Sequence, residues 1–146
     1  DCRKEQPRKN RDNDDDDQIY QGYGFTSRAA NISNAVSATQ GEVVSYNNNP
    51  VITPYFNQSD GRTRSANEAW GWDQAKYPWL ASVSDPGCSG LTLNGHGVGM
   101  SGVGARYLVS QGKKYKEVLS YYYTGTGITK IDTNINVRIG IYSIDI

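Results

Sequence analysis

Chemistry is densest between Asn94 and Ala105, which read Asn-Gly-His-Gly-Val-Gly-Met-Ser-Gly-Val-Gly-Ala and hold the single histidine and single methionine of the chain. Glycine serves where a backbone takes positive φ or lies close to something else, so this density predicts a loop whose peptide groups line a surface. Ser101 stands where a helix N-cap would be, and Ala105, Leu108 and Val109 follow at helical spacing up to Gly112. A glycine loop feeding a helix is expected to turn N–H groups and the positive end of the helix dipole outward, toward an anion, a carboxylate or a hydroxyl-rich ligand. No phosphate-loop pattern is present. A second polar stretch follows Tyr55. There Ser59, Asp60, Arg62 and Thr63 fall after a strand and around a glycine, which predicts a rim position on rigid scaffolding. The plainer alternative is a solvated turn in which Arg62 pairs with Asp60 or Glu68.

The elements that would position these residues follow from pattern. A helix is predicted over about 28–40, with Ser27 as cap, Ile32, Ala35, Val36 and Thr39 on one face and Gly41 as stop. Glu42–Tyr46 and Val51–Phe56 read as the strands of a hairpin around Asn47-Asn48-Asn49-Pro50. Further helices are predicted over about 101–111 and 114–122. Ile131–Ile146 alternates apolar and polar residues, which predicts a long strand completing the sheet. The fold class is thus α+β, one domain with a mostly antiparallel sheet flanked by helices. Residues 1–18 form a charged arm or exposed loop, 19–130 the domain, and 131–146 the terminal strand.

The arm divides into a basic half and the acidic run Asp12 to Asp17. That run has carboxylates suited to calcium but lacks the glycine and glutamate of an EF-hand loop, so it reads as solvated charge and no metal is assigned. Over the 146 residues, 15 basic side chains balance 15 acidic ones. Without a broad positive field, nucleic acid is not an expected partner. No apolar run approaches a membrane span. An opening at Asp1-Cys2 is compatible with a processed, exported product. Cys2 and Cys88 belong to no Cys-x-x-Cys pair; they make one long-range disulfide in an oxidising compartment or remain two thiols. Eleven tyrosines against two phenylalanines favour flat faces with a polar handle, which suit sugars or peptides and also pack β-rich cores.

Gly95-His96-Gly97-Val98-Gly99-Met100-Ser101 with Gly104-Ala105 resembles the Gly-His-Gly-Val-Gly-Met-Ser-Gln-Tyr-Gly-Ala signature of the SpoIID family, the stage II sporulation protein D and LytB-type domain. Gly102-Val103 replaces the family's Gln-Tyr. Further segments agree in order: Gln18 to Gly22, Ala38 to Val44, Tyr55 to Gly71, Tyr77 to Pro86, and Lys116 to Thr126. At the first of these, Asp17 stands where some members carry a cysteine, and no zinc site is carried over. Only Gly87 to Asn94 precedes the glycine loop where many members insert a small subdomain.

The resemblance implies a SpoIID-like α+β domain that acts on peptidoglycan glycan strands, with Tyr55, Ser59, Arg62, Thr63, His96, Gly97 and Ser101 facing the sugar and no cofactor. It also implies a location outside the cytoplasm, at the cell envelope or secreted. The family's lytic transglycosylases use a glutamate in an Ala-Glu-Met-Pro-like helix ahead of all these motifs, and this chain has no counterpart. Glu42 and Glu68 are the candidate substitutes. The chain alone is therefore expected to bind glycan without cleaving it, the acid lying on another segment or a separate chain. Two further readings stay open: a wall-binding module that modifies an amidase, and a self-associating surface protein that pairs through its final strand.

Overall fold

The computed structural model describes residues 30–133 of the chain. The charged arm, the predicted cap Ser27, Cys2 and most of the predicted terminal strand lie outside these residues. Two compact units are distinguished, one up to Gln40 and one from Gly41 onward. In the first, helix α1 spans Ala30–Ala38, inside the predicted range. The Thr39 N–H and hydroxyl both donate to the Ala35 carbonyl, at 3.0 and 2.9 Å.

The second unit is built on two small sheets. Strand β1 (Glu42–Tyr46) turns through Asn47 and Asn48, both at positive φ (49° and 62°), into β2 (Asn49–Pro50). Asparagine tolerates the left-handed region, and two such residues in succession make the tight turn that matches strand twist. The predicted hairpin therefore forms, but its second arm is shorter than expected. Pro50 and Pro54 have no N–H to offer a ladder, and the chain leaves the sheet after Val51, whose N–H still reaches the Val44 carbonyl at 3.1 Å. Strand β3 (Tyr55–Phe56) instead pairs in parallel with β4 (Met100–Ser101), aligning Tyr55 with Met100 and Phe56 with Ser101. The other edge of β1 is covered by β5 (Gly127–Lys130), antiparallel, with Val44 opposite Ile128. This strand precedes the one predicted over 131–146, which lies almost wholly outside the described residues.

Three helices complete the unit. Helix α2 (Ala66–Trp70) was not anticipated in the sequence reading. Ser65 caps it by accepting the Glu68 N–H at 3.1 Å, and it closes at Gly71. Helices α3 (Gly102–Ser110) and α4 (Tyr115–Tyr122) fall where predicted. The core gathers Ala66 from α2, Leu80 and Trp79, Val98 from the glycine loop, and Val118 and Tyr122 from α4. Val109, one of the apolar residues at helical spacing in α3, is exposed. No described helix is long and apolar enough to cross a membrane.

Candidate functional site

The glycine loop is stitched to two distant segments. The Arg64 N–H donates to the Gly97 carbonyl at 2.7 Å, and Gln58 and Asn94 exchange both backbone bonds at 2.8 and 3.1 Å. Close approach is what the glycines permit. At Gly99, with φ +79°, a β-carbon would overlap the Pro54 carbonyl, and that carbonyl accepts both the Met100 N–H at 3.2 Å and the Tyr123 hydroxyl at 2.8 Å.

His96 fastens the loop to β3. The Val98 N–H, which can only donate, lies 3.0 Å from Nδ1; the Tyr55 carbonyl, which can only accept, lies 3.0 Å from Nε2. These partners select one neutral tautomer, with the proton on Nε2 and a lone pair on Nδ1. The ring leans on Phe56 and Trp70 at centroid distances of 5.6 and 5.0 Å. His96 is exposed, yet both nitrogens are engaged, so it presents a ring edge and acts as a clasp.

The α3 N-terminus does not open outward as the sequence suggested. Ser101 caps the helix through the Gly104 N–H at 3.1 Å, and the Val103 N–H donates to the Asn57 carbonyl at 3.0 Å. The carboxyl group drawn to this end is the protein's own. Asp85 is buried and accepts the Ser59 hydroxyl at 2.7 Å and the Tyr122 hydroxyl at 2.9 Å. It lies so close to Gly104 that a β-carbon there would overlap Asp85 Oδ1 and the Tyr122 oxygen. Burial, with the Asp85 hydrogen bond behind it, raises the Tyr122 phenol well above its ordinary range. Cys88 completes this interior cluster, its Sγ 3.4 Å from Ser101 Oγ. It is buried and has no disulfide partner among the described residues; its expected partner Cys2 lies outside them.

Four of the residues expected to face a ligand are therefore interior. Ser59, Thr63 and Ser101 are fully buried, and Thr63 Oγ1 accepts the Val83 N–H at 2.9 Å. Gly97 is buried as well. Tyr55 and Arg62 do reach the surface, the ring residue at 53% exposure and the Arg62 side chain at 48%. Arg62 holds Glu68 with two bonds of 2.9 and 2.7 Å. Arg64, more enclosed, grips Asp60 with two bonds of 3.0 and 2.6 Å and reaches Glu68 at 3.4 Å. The solvated-turn alternative thus describes the local pairing correctly, and Arg64, passed over in the sequence, ties this quartet to the loop through Gly97.

The same pairings decide what Glu42 and Glu68 can do. The Arg62 guanidinium holds Glu68 below the usual carboxylate range. The Tyr115 hydroxyl at 2.7 Å and then Lys116 at 3.1 Å do the same for Glu42. A general acid must carry its proton at the working pH, and both environments favour the ionised form. Among the described residues, no three His, Cys, Asp or Glu side chains converge as a metal site.

No family model matches the chain. It is 24% identical over 194 residues to the stage II sporulation protein D of Bacillus subtilis (strain 168), covering 79% of this chain and 56% of that protein. Against the protein of the same name from Bacillus amyloliquefaciens it is 23% identical over 188 residues, covering 77% and 55%. The chain is SpoIID-like. It spans little more than half the length of these relatives. A shorter likeness, 32% over 68 residues, links 47% of the chain to 9% of the amidase enhancer of Bacillus subtilis (strain 168).

Proposed function

We propose that this domain holds peptidoglycan glycan strands at the rim formed by Tyr55, Arg62 and the edge of His96. The observation that carries the reading is the lacing of two sequence-remote polar segments, through Arg64 to Gly97 and His96 to Tyr55, which leaves an aromatic face and a guanidinium at the surface. Such groups recognise sugars, the ring through its apolar face and the guanidinium through hydroxyl, amide or carboxylate oxygens. Ser59, Thr63, Gly97 and Ser101 support that rim from beneath. Because Glu42 and Glu68 are held ionised, glycan cleavage draws its acid from another segment or a separate chain. The relatives favour an envelope location outside the cytoplasm.

The test is retention of denuded peptidoglycan by the purified chain. Arg62→Ala breaks an exposed ion pair that solvent screens and that adds little to folding, yet removes a charged donor from a bound partner. Retention should fall about tenfold or more with the fold intact, and no anhydromuramyl ends should be released. Undiminished retention would remove Arg62 from the site, and released anhydro ends would locate the acid within this chain. The likeness to an amidase enhancer favours a second reading, in which the bound domain modifies a wall amidase; adding it to amidase digests of the same wall material tests that directly.

A further inference from the structure

The sequence has one Asn-Gly pair, Asn94-Gly95, at the entrance of the glycine loop, and both residues are exposed. Asn94 commits its own backbone N–H and carbonyl to Gln58. The Asn94 carboxamide and the Gly95 N–H have no hydrogen-bond partner among the described residues. Gly95 sits at φ +109°, where a β-carbon would lie 2.8 Å from the Phe56 β-carbon. Glycine is therefore required, and no side chain screens its peptide nitrogen.

We infer that Asn94-Gly95 is a self-modifying site, at which the Gly95 nitrogen closes on the Asn94 side chain and converts it to aspartate or isoaspartate. Solvent base removes the Gly95 amide proton. The nitrogen attacks Asn94 Cγ, a new N–Cγ bond forms, the Cγ–Nδ2 bond breaks, and ammonia leaves with a proton from water. The five-membered imide is then opened by water at either carbonyl. Cleavage of the new N–Cγ bond leaves aspartate at position 94, whereas cleavage of the original peptide bond leaves an isoaspartyl link.

Asp60-Gly61 is the only comparable pair with the acid in place of the amide, and it is blocked at both reacting atoms. Asp60 is held ionised by Arg64, and the Gly61 N–H donates to Ser59 Oγ at 3.2 Å. Asn94 has neither protection.

Conversion has a structural consequence. An isoaspartyl link adds a methylene to the main chain between the Gln58 bridge and the His96 clasp, and either product adds a negative charge two residues before His96. The loop loses its register with β3, and, resting on the glycan-binding reading above, the rim loses affinity.

Folded protein held in warm, mildly alkaline buffer and digested for peptide mapping should show the amide-to-acid mass change at the 94–95 peptide, in two chromatographic isomers. Asn94→Ser, which replaces an exposed side chain without partners, should abolish it. A folded sample that stays unmodified while a urea-unfolded sample converts would overturn the inference. In the functional arm, retention of peptidoglycan by aged wild type should fall in proportion to the converted fraction, while aged Asn94→Ser keeps its retention. Conversion with full retention would refute the effect on the rim. Fresh protein that binds no peptidoglycan would refute the glycan reading alone and leave the mass result to decide the chemistry.

Discussion

Gly104 occupies the third position of α3, and helix propensity predicts that Gly104→Ala gains about 1 kcal/mol. The structure predicts the opposite sign. An added β-carbon would fall on Asp85 Oδ1 and the Tyr122 oxygen, with Asp85 Cγ only 2.5 Å away. Asp85 is 1% exposed and cannot swing into solvent without giving up the Ser59 and Tyr122 bonds. Leaving those buried groups unsatisfied costs about 1–3 kcal/mol each, and forcing volume into a filled interior costs about 1–3 kcal/mol. After the helical gain is deducted, the variant should lose about 2–8 kcal/mol, a large share of the 5–15 kcal/mol typical of a domain. Urea unfolding should show the midpoint falling with an unchanged slope. Gly112→Ala is the control, since Gly112 has φ +87° and open space around its β position, so only left-handed strain of about 1–2 kcal/mol applies. In a Tyr122→Phe background, where one overlapping atom is gone, the Gly104→Ala penalty should shrink. A Gly104→Ala protein as stable as its parent would refute the interior placement of Asp85.

At alkaline pH a second buried phenol sets the limit. Burial pushes the Tyr123 phenol up to about 12, so its contribution to stability is complete below the unfolded value of about 10 and is lost as pH rises toward 12. The unfolding free energy should fall over that window, by up to about 3 kcal/mol from this group, and less steeply in Tyr123→Phe. At acid pH the signs reverse. Glu42 and Glu68 are held below their ordinary range, so their contribution is present above about 4.3 and is lost as pH falls through their lowered values; Tyr115→Phe should flatten the Glu42 part in urea titrations.

What the sequence carried was local. The Asn47-Asn48 turn, the Ser101 cap and the α3 and α4 spans follow from residues within a few positions of one another. Helix α2 was legible by the same logic, since Ser65 and Glu68 stand at capping-box spacing, but the polar residues before it drew the reading toward a strand end. The parallel pairing of β3 with β4 was not legible, because it joins Tyr55 to Met100 with no connecting pattern. Nor was the fate of the hydroxyls. Ser59, Thr63 and Ser101 look alike from the sequence whether they face solvent or a buried partner, and their burial depends on where Asp85 and Val83 arrive from elsewhere in the chain.

That inward turn changes what the glycine loop is for. The Val98, Val103 and Gly104 N–H groups are spent on His96, Asn57 and Ser101, and the glycines admit the protein's own groups, the Pro54 carbonyl at Gly99 and the Asp85–Tyr122 pair at Gly104. Anything bound at the rim is then held by Tyr55 of β3, Arg62 of the turn at 60–64 and the edge of His96, while the rest of the loop fixes where those side chains stand. Changes in the loop away from Asn94 and His96 should therefore act on binding only through stability, in step with the unfolding midpoint. Changes at Tyr55 or Arg62 should move binding while the midpoint stays. A loop variant that lost binding at full stability would return the ligand contact to the loop itself.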